Sequence, residues 1–379
     1  MADNKDKKVL KVPDLRFPEF TGEWQCKAIG KVAPLQRGFD LPTQNLVEGI
    51  YPVIYSNGIL QHDKYKCEAP GLITGRSGTI GKFTYIDSGF YWPHNTSLWV
   101  TDFCGNCPKF IYYLYQTVHI EQFSTGSGVP TLNRNDVHRY KTFVPTAIVE
   151  QEKIAKFLSI LDERIATQNK IIERYKSLIR GINQYAFTNT GINYKLGEIC
   201  EIRSGYSGNQ LTLKNGLKVS RIETISEHKV NMERVGYVAP FESSENYRLQ
   251  IGDILFSNIN SVEYIGNTAF IDKDYNLYHG MNLLRLIPKK ELVIPFYLYL
   301  VLNTNRLLNH FKTVCNKAVS QASINQTELG KTIVLIPNLM NQNRICELFQ
   351  TLYTKLEAER YFISLLQGQK QHLLRQMFI

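Results

Sequence analysis

Along two long stretches of the chain, apolar residues recur at alternating steps of four and three positions, over 154–186 and again over 345–377. More than four heptads of this spacing are typical of a coiled coil. Gln168 and Glu359 interrupt the two series at the same place. The residues predicted to form a helix-pairing seam are Ile154, Leu158, Leu161, Ile165 and Ile172, and then Ile345, Phe349, Leu352, Leu356 and Ile363. The pattern therefore predicts two helices with the same heptad spacing, each on the order of 54 Å long.

Outside these helices, the hydrophobic pattern changes to short runs rich in β-branched and aromatic residues, bounded by Gly, Asn, Asp and Pro. Such runs favour β-strands. They include "KFTYID", "TSLWV" and "KTFVP" in the first half, and "GDILFS", "NTAFID", "LLRLI" and "TIVLI" in the second. Helical patterns occupy 108–123 and 294–311, in matching positions. We therefore expect an α+β protein with mixed α/β globular parts.

The chain also repeats itself. "SGTIGKFTYID" (77–87) matches "VEYIGNTAFID" (262–272), and "GVPTLNRNDVHRYKTFVP" (128–145) matches "SQASINQTELGKTIVLIP" (320–337). A long helical pattern follows each copy of the second segment. Self-similarity at one offset indicates a duplicated architecture. We therefore expect a pseudo-twofold internal repeat.

The duplication predicts four segments. They are a first globular domain over 1–145, a long spacer helix over 146–190, a second globular domain over 191–337 and a second spacer helix over 338–379. We expect the two helices to pair antiparallel, because parallel pairing would crowd both globular domains at one end. The alternative is two unrelated helices, each docked on its own domain.

Charge and composition narrow the class of protein. The net charge of +10 is split evenly between the two halves, so a polyanionic partner is plausible. The start of the chain lacks an apolar signal-peptide core, and the longest apolar run, 292–302, contains a proline and is too short to span a bilayer. We therefore expect a cytoplasmic protein that does not contact a membrane.

The cysteines and glycines suggest neither a metal site nor a nucleotide site. Seven cysteines, an odd number, favour reduced thiols, and the pair Cys104 and Cys107 lacks the second ligand pair of a zinc site. The run "GRSGTIGK" (75–82) fits neither the P-loop nor the dinucleotide fingerprint. His94, His119 and His138 are scattered and are expected to be surface or loop residues. The absence of a compact catalytic motif predicts a non-catalytic chain.

Six segments in a fixed order resemble the specificity subunits of type I restriction–modification enzymes, over essentially the whole chain. Each motif is weak alone, but their order and duplication are specific. The segments are "LRFPEFTGEW" (15–24), "RSGTIGK" (76–82), "GSGVPTLNRNDV" (126–137), "QEKIAKFLSILDERI" (151–165), "GDILFSNINSVEYIGN" (252–267) and "SINQTELG" (323–330).

The resemblance implies a function. In this family, two target-recognition domains each read one half of a bipartite site in double-stranded DNA. The two long helices pack antiparallel, set the spacing and dock two methyltransferase subunits. Motor/nuclease subunits complete the restriction complex. The resemblance implies no cofactor in this chain, with S-adenosylmethionine, ATP and Mg on the partner subunits.

The glycine-bearing loops supply the candidate DNA contacts. In the first half these are Arg76, Ser77, Thr79, Lys82, Ser124, Thr125, Ser127 and Asn133. In the second half they are Ser257, Asn258, Asn260, Ser261, Asn316, Lys317, Gln321 and Asn325. Arg76 has no basic match in "FSNINSVEYIGN", as expected if the two halves read different bases. The alternative at each position is a structural turn with solvated neighbours.

Three other classes of protein stay open. The first is a stand-alone bipartite DNA-binding protein without an enzyme partner, which would not need long exposed helical faces beyond the seam. The second is a nuclease or methyltransferase, which the missing motifs oppose. The third is a protein-binding scaffold, which would not require balanced basic domains. A neighbouring gene for an adenine methyltransferase would favour the specificity subunit over all three.

Overall fold

The computed structural model describes residues 11–42, 44, 46–126, 128, 130–187, 191–212, 215–226, 228–317 and 321–379. It divides into two compact units. Unit 1 comprises Met1–Lys170 with Arg360–Ile379, and unit 2 comprises Ile171–Glu359. The long helices are α4 (Ile148–Tyr185) and α9 (Leu339–Met377). Each unit therefore contains part of both.

Unit 1 contains two four-stranded sheets among the residues that the structure describes. Its strands are β1 (Gln25–Ala28), β2 (Leu35–Arg37), β3 (Tyr51–Tyr55), β4 (Gly58–His62), β5 (Cys67–Glu68), β6 (Gly71–Gly75), β7 (Phe83–Ile86), β8 (Phe90–Pro93), β9 (Ser97–Val100), β10 (Ser124–Thr125), β11 (Thr131–Leu132) and β12 (Lys141–Val144). One sheet has the order β2-β9-β6-β7 and is antiparallel; the other has the order β4-β3-β8-β5, with β3 and β8 parallel. The pairs β1–β12 and β10–β11 complete the unit.

The helices of unit 1 cover the antiparallel sheet. They are α1 (Ile29–Val32), α2 (Pro108–Thr117), a 3₁₀ helix (Ile120–Phe123) and α3 (Arg134–Arg139). Pro108 occupies the first turn of α2, where its missing N–H is tolerated. Tyr113 and Tyr115 are fully buried in α2. Their hydroxyls donate to Asp162 Oδ2 (2.9 Å) and to the carbonyl of Ala33 (2.6 Å), so this core stays hydrogen-bonded.

Within unit 1, the first part of α4 packs beside the last part of α9. Leu158 and Leu161 share one hydrophobic cluster with Leu373. Lys370 Nζ lies 2.7 Å from an Asp162 carboxylate oxygen. The start of one helix therefore lies next to the end of the other, which is the antiparallel arrangement.

The segment before β1 fastens this helix pair to the domain. Arg16 donates twice to the buried Glu150, at 2.7 and 2.8 Å, and Trp24 Nε1 donates to the same carboxylate at 3.1 Å. The N–H of Leu15 donates to the carbonyl of Gln376 in α9 at 2.9 Å. The motif "LRFPEFTGEW" therefore has a structural role in unit 1.

Unit 2 repeats the antiparallel sheet of unit 1. Its strands are β13 (Ile192–Lys195), β14 (Cys200–Ser204), β15 (Leu217–Val219), β16 (Gly236–Val238), β17 (Ile254–Ser257), β18 (Ile259–Asn260), β19 (Thr268–Phe270), β20 (Leu283–Pro288), β21 (Asn316–Lys317), β22 (Ala322–Ser323) and β23 (Ile333–Ile336). The order β14-β20-β17-β19 corresponds to β2-β9-β6-β7, and β13–β23 corresponds to β1–β12.

Unit 2 also repeats the helical layer. Its helices are α5 (Leu196–Ile199), α6 (Pro295–Leu302), α7 (Asn305–Val314) and α8 (Gln326–Gly330), with 3₁₀ turns at Ile222–Ile225, Met232–Arg234 and Ser244–Tyr247. Ile179 and Ile182, from the last part of α4, pack on the cluster that contains Phe349 from the first part of α9. The two helices are therefore antiparallel in this unit too.

The predicted fold class is confirmed: the chain is α+β, internally repeated, with two long antiparallel helices. Each of the seven predicted strand segments contains a strand. Both predicted short helical segments, 108–123 and 294–311, are interrupted. His119 adopts a left-handed φ of 50° after α2, and Thr304 caps a new helix after α6. The sheet β4-β3-β8-β5 was not predicted, because its edge strands lack a clear alternation of apolar and polar residues.

The seven cysteines, all of which lie in the described ranges, are free thiols. Across those ranges, the structure places no three His, Cys, Asp or Glu side chains where they could hold a metal ion. None of the described helices is long and apolar enough to cross a membrane.

Candidate nucleic-acid interface

The loop "GRSGTIGK" turns tightly at the end of β6. Gly78 and Gly81 have φ of 78° and 83°, in the left-handed region that favours glycine. A Cβ at Gly81 would lie 2.7 Å from a carboxylate oxygen of Glu121. The N–H of Gly81 donates to Thr74 Oγ1 at 3.2 Å. These glycines shape a tight loop, as the sequence predicted.

Unit 2 contains the same turn. Gly266, which the repeat aligns with Gly81, also has a φ of 83°. Its N–H donates to the carbonyl of Ser257 at 2.9 Å. An added Cβ would lie 2.6 Å from the ring of the buried Phe311. A side chain at Gly266 would therefore cause both backbone strain and a steric clash.

A cleft of about 690 Å³ opens beside the loop in unit 1. Three arginines line it: Arg37 at the end of β2, Arg76 after β6 and Arg134 at the start of α3. Thr125 and Asn133 are among the polar side chains that line it with them. The three guanidinium groups and the uncharged donors share this concave surface with the carboxylate of Asp40. Because the lining keeps a net positive charge, the cleft suits an anionic, hydrogen-bonding ligand.

A histidine connects the elements that carry these arginines. His138 Nε2, on α3, accepts from the N–H of Leu35 on β2 at 2.8 Å. Burial lowers the pKa of His138, and Arg134 lowers it further. The neutral ring with its proton on Nδ1 therefore links β2 to α3. His138 was expected to be a surface or loop residue, but it is half-buried and has a structural role.

Arg37 is oriented by its neighbours. Its Nε donates to the carbonyl of Asn95 at 3.2 Å, and its Nη2 lies 3.7 Å from Asp40. Asn95 in turn donates to Asp40. Nε and Nη2 of Arg37 therefore face the linked pair Asn95 and Asp40, which fixes the orientation of the guanidinium group.

The structure separates the predicted residues of unit 1 into two groups. Thr79 donates to the carbonyl of Ser56, Ser124 donates to the carbonyl of Glu121, and Asn133 caps α3 by accepting from the N–H of Asn135. These side chains have local structural partners. Arg76, Ser77, Lys82 and Thr125 lie around the loop at half-buried or exposed positions, and Ser127 lies outside the described residues.

In unit 2, one prediction is wrong. Ser257 has no exposed surface, because it is the last residue of the central strand β17. Its Oγ accepts from Asn260 Nδ2 at 3.1 Å, so its side chain cannot contact DNA in this conformation. Asn258 Nδ2 donates to the carbonyl of Ile324 at 3.4 Å. Asn260 accepts from the N–H of Ser261 at 2.8 Å.

The other predicted residues of unit 2 lie on exposed surface. Asn316 and Lys317 form β21, and Gln321 precedes β22. Asn325 caps α8 by accepting from the N–H of Glu328 at 2.8 Å, as Asn133 caps α3 in unit 1. The structure places these residues around the loop that corresponds to 76–82, with Ser261 also exposed. Whether any of them contacts DNA stays a prediction.

Sequence reasoning missed Arg37 and Arg134. Both line the cleft with Arg76, although β2 and α3 are about a hundred positions apart in the chain. A signal was present: "QRGF" (36–39) ends β2, and "RSGY" (203–206) ends β14 in the equivalent sheet. Treating these runs as a third repeated pair would have placed Arg37 beside the loop.

Sequence reasoning also missed two buried glutamines at equivalent positions of the long helices. Gln151 Oε1 accepts from the N–H of Cys107 at 2.9 Å, and its Nε2 donates to the carbonyl of Pro145 at 2.9 Å. Gln342 Oε1 accepts from Ile294 at 2.8 Å, and its Nε2 donates to Leu292 and Pro337. Each glutamine thus fastens a long helix to the start of a domain helix, α2 or α6.

Together these features define a duplicated α+β protein with polar loops and, in unit 1, an arginine-lined cleft. The chain belongs to the family described as Type I restriction modification DNA specificity domain, because the family model matches residues 21–176 and again 192–362. The two matches coincide with the two copies of the internal repeat. The resemblance inferred from the sequence motifs is therefore confirmed.

Named relatives agree with this assignment. The MjaX type I restriction enzyme specificity subunit of Methanocaldococcus jannaschii is 38% identical over 188 residues, covering 48% of this chain and 44% of the relative. The MjaVIII specificity subunit of the same organism is 25% identical, covering 66% and 65%. The EcoprrI specificity subunit of Escherichia coli is 26% identical, covering 42% and 40%. The chain thus spans less than two thirds of each of these relatives.

Solved structures match the fold over almost the whole chain. The S subunit of a type I restriction–modification system from M. genitalium has a TM-score of 0.62 at 17% identity, covering 97% of this chain and 99% of that one. A chain from a structural study of complex assembly and conformational transition in the type I system has a TM-score of 0.57 at 17% identity, covering 93% and 96%. These likenesses establish the fold.

Proposed function

We propose that this chain is the DNA-binding specificity subunit of a type I restriction–modification complex. Each unit recognises one half of a bipartite site in double-stranded DNA, and the chain itself performs no chemistry. Methyltransferase subunits that bind S-adenosylmethionine modify adenines, and motor/nuclease subunits that use ATP and Mg cut unmodified DNA. The observation that carries the proposal is the duplication of one recognition unit, matched twice by the family model.

The arginine-lined cleft of unit 1 supports DNA as the ligand. Phosphate contacts from arginine and lysine supply sequence-independent affinity, and side chains that reach base edges supply specificity. The cleft combines Arg37, Arg76 and Arg134 with uncharged donors and acceptors. The net charge of +10 favours association with a polyanion.

Matched apolar residues on the long helices support docking of two like partners. Val149 on α4 is 65% exposed, and Met340, at the equivalent place on α9, is 58% exposed. Phe157 and Leu348 form a second equivalent pair, at 41% and 45%. Contiguous exposed apolar patches mark interaction sites, whereas single apolar side chains on a surface are ordinary; here the same two positions are exposed in both copies. Because the pattern occurs once per repeat, it suits two copies of one methyltransferase subunit.

The test of the function is co-expression with the neighbouring methyltransferase, followed by genome-wide mapping of methylated adenines. A split motif with a fixed gap is the expected result. A stable complex on DNA without methylation would favour the stand-alone bipartite DNA-binding protein. Failure to form any complex with the methyltransferase would refute the docking role of the helices.

The docking stoichiometry can be tested separately. Val149→Asp and Met340→Asp should each remove one of two methyltransferase subunits, because a charge at the centre of an apolar contact is costly. Native mass spectrometry would then find one methyltransferase per chain instead of two, and none in the double variant. Glu152→Gln, an exposed change on the same turns of α4, is the control. Two bound subunits in both single variants would contradict this assignment.

A further inference from the structure

The two units differ at the positions that line the cleft. In unit 1, Arg37 ends β2 and lies opposite Leu98 in β9. In unit 2, Ser204 ends β14 and lies opposite Leu284 in β20. Both pairs join the edge strand of the sheet to its neighbour, and a glycine follows each end residue. Arg37 and Ser204 are therefore equivalent.

The second position is the first residue after β6 in unit 1 and after β17 in unit 2. The carbonyl of Arg76 accepts from the N–H of Leu132 at 2.9 Å. The carbonyl of Asn258 accepts from the N–H of Ile324 at the same distance. Since Leu132 and Ile324 occupy matching places in the repeat, Arg76 and Asn258 are equivalent.

The third position follows the cap of a short helix. Asn133 caps α3 and Arg134 follows it; Asn325 caps α8 and Gln326 follows it. Gln326 Nε2 donates to the carbonyl of Ile202 in β14 at 2.6 Å. This bond links the helix to the edge strand, as His138 does in unit 1.

At all three positions, an arginine in unit 1 is replaced by a short or amide side chain in unit 2. The amides of Asn258 and Gln326 donate to backbone carbonyls inside unit 2. Arg76 shares the backbone bond of Asn258 but differs in its side chain, which lines the cleft. Unit 1 thus presents guanidinium groups to a ligand where unit 2 does not.

We infer that unit 1 reads guanine, with Arg76 and Arg37 as the specificity-determining residues. This inference rests on the proposed function and names the base class that one unit recognises. A guanidinium group can donate two parallel hydrogen bonds to O6 and N7 of guanine in the major groove. Arg37 is oriented by the bond from its Nε to Asn95 and by Asp40 near its Nη2, so a two-bond contact with guanine would use Nη1 together with the second N–H of Nη2. The equivalent serine and asparagine of unit 2 cannot form this pair, so the other half-site is read differently.

Phosphate anchoring is the competing role for an arginine, and the variants separate the two. Once methylome mapping has supplied the motif, Arg76→Ala should relax it at one guanine in one half-site. Arg76→Lys keeps the charge but loses the planar pair of donors, so it should relax the same position. Lys141→Ala, which removes an exposed positive charge of unit 1 on β12, a strand that does not line the cleft, is the control and should relax no base. Asn258→Ala, the equivalent change in unit 2, should leave that guanine required.

Binding of the purified specificity–methyltransferase complex to modified duplexes provides the second readout. Replacing the guanine by 7-deazaguanine removes the N7 acceptor and should weaken wild-type binding several-fold. Arg76→Ala should weaken binding to unmodified DNA by about 5- to 150-fold, the equivalent of ~1–3 kcal/mol. Binding by the Arg76→Ala variant should then be equally strong to duplexes with guanine and with 7-deazaguanine.

Three results would overturn the inference. One is a half-site relaxed by Arg76→Ala that contains no guanine. Another is equal wild-type affinity for guanine and 7-deazaguanine. The third combines two observations. Arg76→Lys would keep full specificity, and Arg76→Ala would release about one counterion fewer on binding, measured from the slope of log K against log salt concentration. Together these would identify a phosphate contact. A split motif obtained with any of these results would leave the proposed function intact, whereas the absence of a split motif would refute that function itself.

Discussion

Gln342 provides the sharpest test of how the long helices are held. The change Gln342→Met keeps the length of the side chain and removes its amide. The amide accepts from the N–H of Ile294 at 2.8 Å and donates to the carbonyls of Leu292 at 3.1 Å and Pro337 at 2.8 Å. Gln342 has no exposed surface, so water cannot replace these bonds without a local opening.

The expected loss in opening free energy follows from the polar groups that Gln342→Met leaves without hydrogen-bond partners. A buried group that loses its hydrogen bond costs about 1–3 kcal/mol. The orphaned Ile294 N–H should cost most, because an unpaired N–H is tolerated less well than an under-satisfied carbonyl. The carbonyls of Leu292 and Pro337 add a smaller cost, because each can keep another partner. Burial of methionine instead of an amide offsets part of the total, since no amide has to be desolvated. We therefore expect Gln342→Met to lower the opening free energy at the start of α6 by about 3–5 kcal/mol.

Native-state hydrogen exchange followed by mass spectrometry measures this opening locally. The amide of Leu298, which donates to Ile294 at 3.0 Å, reports the first turn of α6. Its exchange should accelerate by roughly two to three and a half orders of magnitude, since ~1.4 kcal/mol is a factor of ten. Asn343→Met, which introduces the same side chain at the exposed neighbouring position, is the matched control. A loss below about 1 kcal/mol, or equal losses in both variants, would refute the reasoning.

Two further predictions concern buried positions of unit 2. Burial lowers the pKa of His279 to about 4, so below pH 6.5 only the unfolded state takes up its proton. When the pH falls from 7 to 5, the unfolding free energy of the wild type should therefore decrease by about 2 kcal/mol more than that of His279→Gln. Urea denaturation at each pH measures this difference. The same decrease in both proteins would contradict the prediction. Gly266→Ala combines a left-handed φ with a clash against Phe311 and should lower the unfolding free energy by several kcal/mol. Gly78→Ala also has a left-handed φ, but the space around its Cβ is open. It should therefore lower the unfolding free energy by only about 1–2 kcal/mol. Equal unfolding midpoints for the two variants would argue against the clash.

The long helices and the repeat could be predicted because their signals are local or internal to the chain. The heptad pattern places Leu158 on the apolar face of α4 and Phe349 on the apolar face of α9, whatever surrounds the two helices. Both are fully buried. The repeat likewise identified Gly81 and Gly266 as equivalent, and in the structure both have a φ of 83°.

The candidate site was less predictable, because exposure of a polar side chain depends on tertiary contacts. Ser257 lies in a run of serines and asparagines that suggests an exposed loop, yet the strand β17 continues through it and buries it. Arg37 was missed for the opposite reason. Its strand reaches the glycine loop only through sheet pairing and the bond from Leu35 to His138, and neither can be deduced from local pattern.

Because the chain contains two copies of one unit, each copy is a control for the other. Positions that keep their chemistry shape the fold: Gln151 and Gln342 fasten the helices, and Asn133 and Asn325 cap α3 and α8. The three arginines of unit 1 that line the cleft instead have uncharged counterparts in unit 2. A protein that must hold two identical partners while reading two different sequences would be under these two opposite requirements. On the proposed function, the retained positions hold the framework that both units share, and the divergent positions at the cleft of unit 1 and at the matching surface of unit 2 carry the difference in specificity.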